Sequence, residues 1–323
     1  MSYEKGVFSA VLELFEEKRT NSRLENQKRT QKIYAQIPKI AEIDRELKNI
    51  SIDAVRESFT AKDPKKLMKQ YKKKSLELQA VKEELLAEQG YSFGYLKERF
   101  DCKHCEDKGY NGINMCNCFK KALRKESYSR SNLGAFLNEQ TFKNFNFDYY
   151  LEQKNNKYGV SSKENIEKIF DFSKKYAEKF SLGSGNLLLM GKTGLGKTFL
   201  STAMAKVIID KGNWVIYDTA QNILLKIEKN RFGKESNENE ISRFSDCDLL
   251  IIDDLGAEFK TAFSESALYN IINTRLVAKR PMIISTNYDN NELNDIYSER
   301  IISRLVGEFV TLFFFGEDIR AKK

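Results

Sequence analysis

Histidine is nearly absent: His104 is the only one among 323 residues. Chemistry that shuttles protons through imidazole therefore has one candidate, and a metal site built on several histidines is excluded. Proline occurs three times. No run of 18 apolar residues occurs anywhere, which excludes a membrane-spanning helix. The opening residues, MSYEKGVFSAVLELFEEK, set acids inside the apolar stretch and offer no small-residue cleavage site. A secretory signal is not expected, and the expected address is the cytoplasm.

What is present is ample for folding. Apolar residues make up 41% and charged residues 31%, and the length is close to that of two domains. Charge is uneven. Residues 1–140 hold 28 Lys and Arg against 21 Asp and Glu; residues 141–323 hold 26 against 25. The excess positive charge thus sits in the N-terminal part, where it suits a solvated helix surface, nucleic acid or an acidic protein partner.

Apolar spacing predicts helices over most of residues 1–95. Val7, Val11, Leu14 and Phe15 form a first stripe. Pro38 opens a second helix with Ile40, Ile43, Leu47 and Ile50 on one face. Asp63 and Pro64 read as N-cap and first turn of a third, striped by Leu67, Tyr71, Leu78, Val81 and Leu85 and ended by Gly90. Residues 120–138 read as a further basic helix and 153–165 as a polar loop. From about residue 165 the pattern changes. Strand-like runs at Leu187–Met190, Trp214–Tyr217, Leu249–Ile252, Met282–Thr286 and Val310–Phe315 alternate with helical segments. This is the pattern of a parallel α/β sheet covered on both faces.

The stretch Gly191-Lys192-Thr193-Gly194-Leu195-Gly196-Lys197-Thr198 fits G-x-x-x-x-G-K-[ST] between a strand and a helix. Glycines let backbone N–H groups turn in around phosphate oxygens, and the helix start adds partial positive charge. Lys197 is placed for the β- and γ-phosphates and Thr198 for Mg²⁺; Phe199 completes the expected ATP-binding set with Gly191, Thr193, Gly194, Leu195 and Gly196. The strand Leu249–Ile252 ends in Asp253 and Asp254. Asp253 is the candidate for the Mg²⁺ shell. Asp254 is a candidate to orient or deprotonate the attacking water, with Glu258 as its rival. Asn287, at the end of another strand, would lie near the γ-phosphate. Arg300 and Arg304 share one helix face, from which an arginine can reach a neighbouring subunit's nucleotide.

Four cysteines lie within 17 positions: Cys102-x2-Cys105, then Cys116-x-Cys118. In a cytosolic chain this pattern favours a metal over disulfides, and four thiolates suit structural Zn²⁺, with an iron–sulfur cluster as the alternative. Cys247 is expected in the core. Lys226, Lys229, Arg231, Phe232, Lys234 and Arg243 could track a nucleic-acid strand through charge and stacking, or form a solvated face.

The order of these motifs resembles the AAA+ ATPases. Within them, IIDDLGAE (251–258), STN (285–287), SERIISRL (298–305) and FFFGEDIR (313–320) resemble the bacterial replicative helicase loaders of the DnaC/DnaI type. Thr141–Phe145 resembles the segment ahead of the ATPase core in these loaders, and the cysteine cluster resembles the zinc-bearing N-terminal domain of the Gram-positive ones.

The resemblance implies a P-loop core without a C-terminal helical lid. Ahead of it would stand a helicase-interaction domain, helical and zinc-bearing, over 1–135, then a linker over 136–165, with the ATPase domain over 166–323. It implies Asn287 as sensor, Arg304 as the finger that mediates self-association, with Arg300 as second choice, and Arg320 as a terminal sensor arginine. The implied activity is slow ATP hydrolysis that governs loading of a DnaB-type replicative helicase onto single-stranded DNA. The alternatives are an IstB-type transposition helper, or an adaptor switched by ATP with incidental hydrolysis.

Overall fold

A computed structural model describes residues 4–60, 63–134, 136–232 and 238–322. The chain divides into two compact units, Leu12–Cys118 and Met1–Val11 with Phe119–Lys323.

In the first unit the helical reading of the sequence is matched closely. Helix α1 spans Lys5–Gln36, α2 Pro38–Ser58 and α3 Pro64–Glu88. Pro38 starts α2, and Asp63 caps α3 by accepting the Lys66 N–H at 3.1 Å. Along α2, Ile40, Ile43 and Ile50 are buried as their spacing requires, and α2 pairs with α3. Two residues depart from the expected stripes. Leu14 and Val81 are exposed, and in α3 Leu86 takes the buried place, packed with Ile33 and Ile40. The cysteine segment follows, with a two-stranded hairpin, β1 (Tyr110–Asn111) and β2 (Asn114–Met115), turning at Gly112.

Helix α4 (Asn117–Arg130) is shorter than the sequence suggests. Asn132 takes a left-handed backbone (φ +62°), which breaks the helix before a separate short turn, α5 (Phe136–Glu139).

The second unit is built on five parallel strands. They are β3 (Asn186–Met190), β4 (Val215–Thr219), β5 (Leu249–Leu255), β6 (Met282–Thr286) and β7 (Phe309–Phe313), in the order β4-β5-β6-β3-β7. The helices between them are α6 (Ser162–Glu178), α7 (Lys197–Asp210), α8 (Ala220–Phe232), α9 (Glu238–Asp246), α10 (Ala262–Val277), α11 (Asn290–Ile296) and α12 (Glu299–Glu308). Strand side chains alternate between two cores. Leu188, Leu250, Ile252, Met282 and Ile284 enter one; Leu187, Leu189, Leu249, Ile251 and Ile283 enter the other. Both faces are dry, which is why these runs read as uninterrupted apolar sequence rather than as alternation. The strand order, with the phosphate-loop strand between β6 and β7, is that of an AAA+ core, as expected.

One buried cation pins the edge of the sheet opposite the carboxyl ends of the strands. Arg275 on α10 is fully buried and has no carboxylate partner among its hydrogen bonds. It donates to the carbonyls of Phe244 (2.7 Å), Cys247 (3.1 Å) and Pro281 (2.7 Å). The charge is thereby solvated by backbone carbonyls at the end of α9 and beside the starts of β5 and β6, where carbonyl dipoles favour a cation. Cys247 lies in this core, as expected, with its sulfur 3.2 Å from the same guanidinium.

Candidate nucleotide and metal sites

All five strands run the same way, so the carboxyl ends of β3, β5 and β6 share one edge of the sheet. Ligands of open α/β sheets bind at such an edge. Register aligns the strands there: Met190 pairs with Thr286, and Asp253 with Thr219. Between Ile252 and Leu255 the ladder slips, and Asp254 takes a left-handed backbone, φ +54°. The slip turns Asp254 off the strand toward the loop.

The loop after β3 needs its glycines. Gly191 has φ +147° and lies against the Phe314 carbonyl, so a β-carbon there would collide. Gly196 has φ +93° and starts α7; a β-carbon on it would fall 2.6 Å from the Tyr150 hydroxyl. That hydroxyl donates to the Leu195 carbonyl at 3.0 Å, bracing the loop from the segment that precedes the core.

Lys197 is buried, and its ammonium donates to the carbonyls of Gly191 (2.5 Å) and Lys192 (2.7 Å) and to Asn287 Oδ1 (2.8 Å). Burial pulls its pKa down to about 8, against the opposing pull of Asp254 and Asp253. Asn287 Nδ2 donates in turn to Asp254 Oδ1 at 3.1 Å. Asn287 therefore bridges the cation and the acid. Burial, then the Asp253 charge, raises the Asp254 pKa above the usual carboxylate value. This makes it a stronger base than an exposed aspartate.

Asp253 is buried and accepts three hydroxyls: Thr198 at 3.1 Å, Tyr217 and Ser285. A carboxylate beside a hydroxyl oxygen is a hard-oxygen donor set, which fits Mg²⁺. A cavity of about 360 Å³ opens over the loop. Gly194, Leu195, Gly196, Lys197, Thr198 and Phe199 line it, as do Asp254 and Asn287. Gly191 and Thr193 belong to the loop without lining the cavity; Thr193 is exposed. Gln140, Asn144, Phe145, Tyr149 and Arg320 also line it.

Two candidates lie elsewhere. Glu258 accepts the Gly256 N–H at 2.8 Å and the Tyr297 hydroxyl, and does not line the cavity. Arg304 on α12 is held against α10, donating to Asn273 Oδ1 (2.7 Å) and the Tyr269 hydroxyl (2.8 Å) over the Tyr269 ring. It is absent from the lining of its own chain's cavity.

In the other unit, the Sγ atoms of Cys102, Cys105, Cys116 and Cys118 all lie within 4.8 Å of one another. Cys102 and Cys116 are 3.9 Å apart, Cys105 and Cys118 3.4 Å. Tetrahedral Zn²⁺ with bonds of about 2.3 Å requires sulfurs about 3.8 Å apart, so the cluster fits zinc. Backbone N–H groups of Cys105 and His104 lower the Cys102 thiol to about 7, which favours the ligating thiolate. Asp107 orders the approach by accepting the N–H groups of Asp101 (2.8 Å) and Cys102 (2.9 Å).

Residues 168–308 match the family described as IstB-like ATP binding protein. The replicative helicase loader DnaC of Buchnera aphidicola subsp. Baizongia pistaciae is 26% identical over 235 residues, 68% of this chain and 91% of that protein. DnaC of Escherichia coli K12 is 25% identical over 152 residues, 46% of this chain and 62% of that protein. The chain is similar to the DnaC-type helicase loaders. A crystal structure of the DnaC helicase loader aligns with 54% of this chain and 98% of that chain, at 22% identity and a TM-score of 0.44. Residues 168–308 thus resemble an ATP-binding family, and the similarity to the Buchnera protein extends over 91% of that protein's length.

Sequence reasoning missed several contributors that this relationship makes worth noting. Tyr217 and Tyr150 carry no motif, and Ser285 stands in the STN stretch without an assigned role, since each acts through a hydrogen bond formed only when distant segments meet. The structure places the residues that could track a nucleic-acid strand or form a solvated face in mixed settings. Lys226 is paired with buried Asp218 at 2.6 Å and Arg243 with Glu4 at 3.0 Å. Lys229 is exposed, Lys234 lies outside the described residues, and so do the side chains of Arg231 and Phe232. Among the described residues, no helix is long and apolar enough to cross a membrane.

Proposed function

We propose that this chain is a cytoplasmic ATPase that loads a DnaB-type replicative helicase onto single-stranded DNA. The observation that carries the reading is the Lys197–Asn287–Asp254 chain beside Thr198–Asp253, in a relative of the helicase loaders. Relatives named as replicative helicase loaders match 46% and 68% of the chain, which favours loading over transposition help.

In this reading the loop amides and Lys197 hold the β- and γ-phosphates, while Asp253 and Thr198 hold Mg²⁺. When bound, Mg²⁺ neutralises phosphate charge during transfer to water. Asp254 takes the proton of the attacking water, its basicity raised by burial. Asn287 sets the spacing between Asp254 and Lys197. Phe145 and Asn144, which line the cavity, would meet the nucleoside, and Arg320 would supply a second cation from the same chain. Arg304 completes the site of a neighbouring copy. The four cysteines hold structural zinc, which keeps the hairpin and its flanks ordered in the helicase-binding unit.

Steady-state ATP hydrolysis, with and without helicase and single-stranded DNA, tests the assignment. Arg304→Ala and Asp254→Asn are expected to abolish stimulated turnover, Arg304→Ala by about 10³-fold, while nucleotide binding persists. Glu258→Gln is expected to retain turnover. Loss of binding together with turnover in Arg304→Ala would contradict a role in trans.

A further inference from the structure

Tyr217 stands outside every motif, yet its hydroxyl reaches the centre of the nucleotide site. It lies on β4, one strand away from the acidic strand end, where Tyr217 is in register with Ile251. Its hydroxyl donates to Asp253 Oδ2, the same oxygen that accepts Thr198. The other carboxylate oxygen accepts Ser285, whose hydroxyl oxygen in turn accepts the Asp254 N–H at 3.0 Å. Asp253 is thereby clamped from both neighbouring strands, by β4 on one side and β6 on the other. Tyr217 is itself fixed. Its N–H donates to the Ser131 carbonyl at 3.1 Å, on the edge of the sheet, and its ring packs against the core. Strand β4 is an edge strand, so without Ser131 this N–H would face outward unpaired. Next to it, Asp218 accepts Asn132 Nδ2 at 3.2 Å, so the same linker turn is tied to β4 twice.

We infer that Tyr217 is a positioning residue for the Mg²⁺-holding carboxylate: it fixes the plane of Asp253 and so sets how tightly the site takes the metal with its nucleotide. The inference rests on the nucleotide-site reading given above. Its physical basis is that a carboxylate near a metal presents a usable lone pair only when its rotation is restrained, and partners beyond the ligands commonly govern metal affinity by 10–100-fold. The β4–linker contacts make the tyrosine's own position depend on residues 131–132, outside the ATP motifs.

The test is fluorescence titration of the full-length protein with a mant-labelled ATP, first without divalent cation and then with increasing Mg²⁺. Tyr217→Phe keeps the ring and removes only the hydroxyl. Its Mg²⁺-free nucleotide affinity and thermal midpoint are expected to match the unmodified protein, while its Mg²⁺ half-saturation rises about tenfold. Ser285→Ala should shift the Mg²⁺ response in the same direction. A Mg²⁺ half-saturation within twofold of the unmodified protein would overturn the inference. So would an equal loss of Mg²⁺-free binding, which marks a purely structural role. If the unmodified protein bound no nucleotide with or without Mg²⁺, the nucleotide-site reading would fail first and the inference with it.

Discussion

Lys197 shows how one side chain is prepared for a polyanion. It is buried among carbonyl oxygens and Asn287, and burial brings its pKa to about 8 rather than the ordinary lysine value of 10.5. Phosphate oxygens beside it would favour the ammonium and raise the pKa again. The sign follows by linkage. Above pH 8 the free site has lost its proton and the nucleotide-bound site has kept it, so binding takes up a proton and weakens as pH rises. Calorimetry in two buffers of different ionisation enthalpy should find uptake approaching one proton at pH 9, and affinity falling toward about tenfold per pH unit there. No uptake between pH 8 and 9.5 would mean that Lys197 does not meet the phosphates.

At this scale the sequence was informative wherever chemistry is encoded locally. Lys197, Thr198 and Asp253 stood out because a phosphate loop and an acidic strand end are contiguous patterns. The choice between Asp254 and Glu258 was not legible. It depends on a slipped ladder and a left-handed backbone at Asp254, which place that carboxylate in the cavity while Tyr297 and Gly256 occupy Glu258. Arg320, implied by the FFFGEDIR stretch alone, is brought to the cavity wall by folding.

Among the elements, the strands were the most legible. A strand buried on both faces must be apolar throughout, and Leu249–Ile252 and Met282–Ile284 are fully enclosed. Helix starts at Pro38 and Asp63 were legible because the proline and the cap act within their own first turn. The end of α4 was not: the break at Asn132 comes with its tie to Asp218 on β4, a contact 86 positions away. The partner of Lys226 was not legible for the same reason, since Asp218 lies on a separate element and meets it only in the fold.

The cysteine hairpin is an element that the sequence marks clearly and packing alone holds weakly. Between Cys102 and Cys118 it has two strands of two residues each, and Ile113 at its tip is almost fully exposed. A structural metal would supply the missing cohesion. Atomic absorption should find about one zinc per chain and almost none in Cys105→Ser. Chelation should lower the first thermal transition by more than about 5 °C, the shift that corresponds to roughly 1 kcal/mol in a unit of this size. Iron in place of zinc, or full stability after metal removal, would contradict the structural-zinc assignment.

For the whole molecule, the division of labour follows charge and architecture. The five-stranded unit closes on its own two-sided core, and Arg304 points its guanidinium to α10 rather than to its own cavity. The helical and cysteine-bearing unit carries much of the excess positive charge and has little enclosed core, with Ile52, Val55, Phe59 and Met68 exposed. A surface of that kind suits a second protein better than solvent. The most direct test is native mass spectrometry of the full-length protein mixed with its host's replicative helicase, with and without ATP. The account predicts a complex of defined stoichiometry whose abundance changes with ATP and which is lost when residues 1–135 are removed. Absence of a complex in both nucleotide states would contradict the loader reading and shift the weight to a transposition helper.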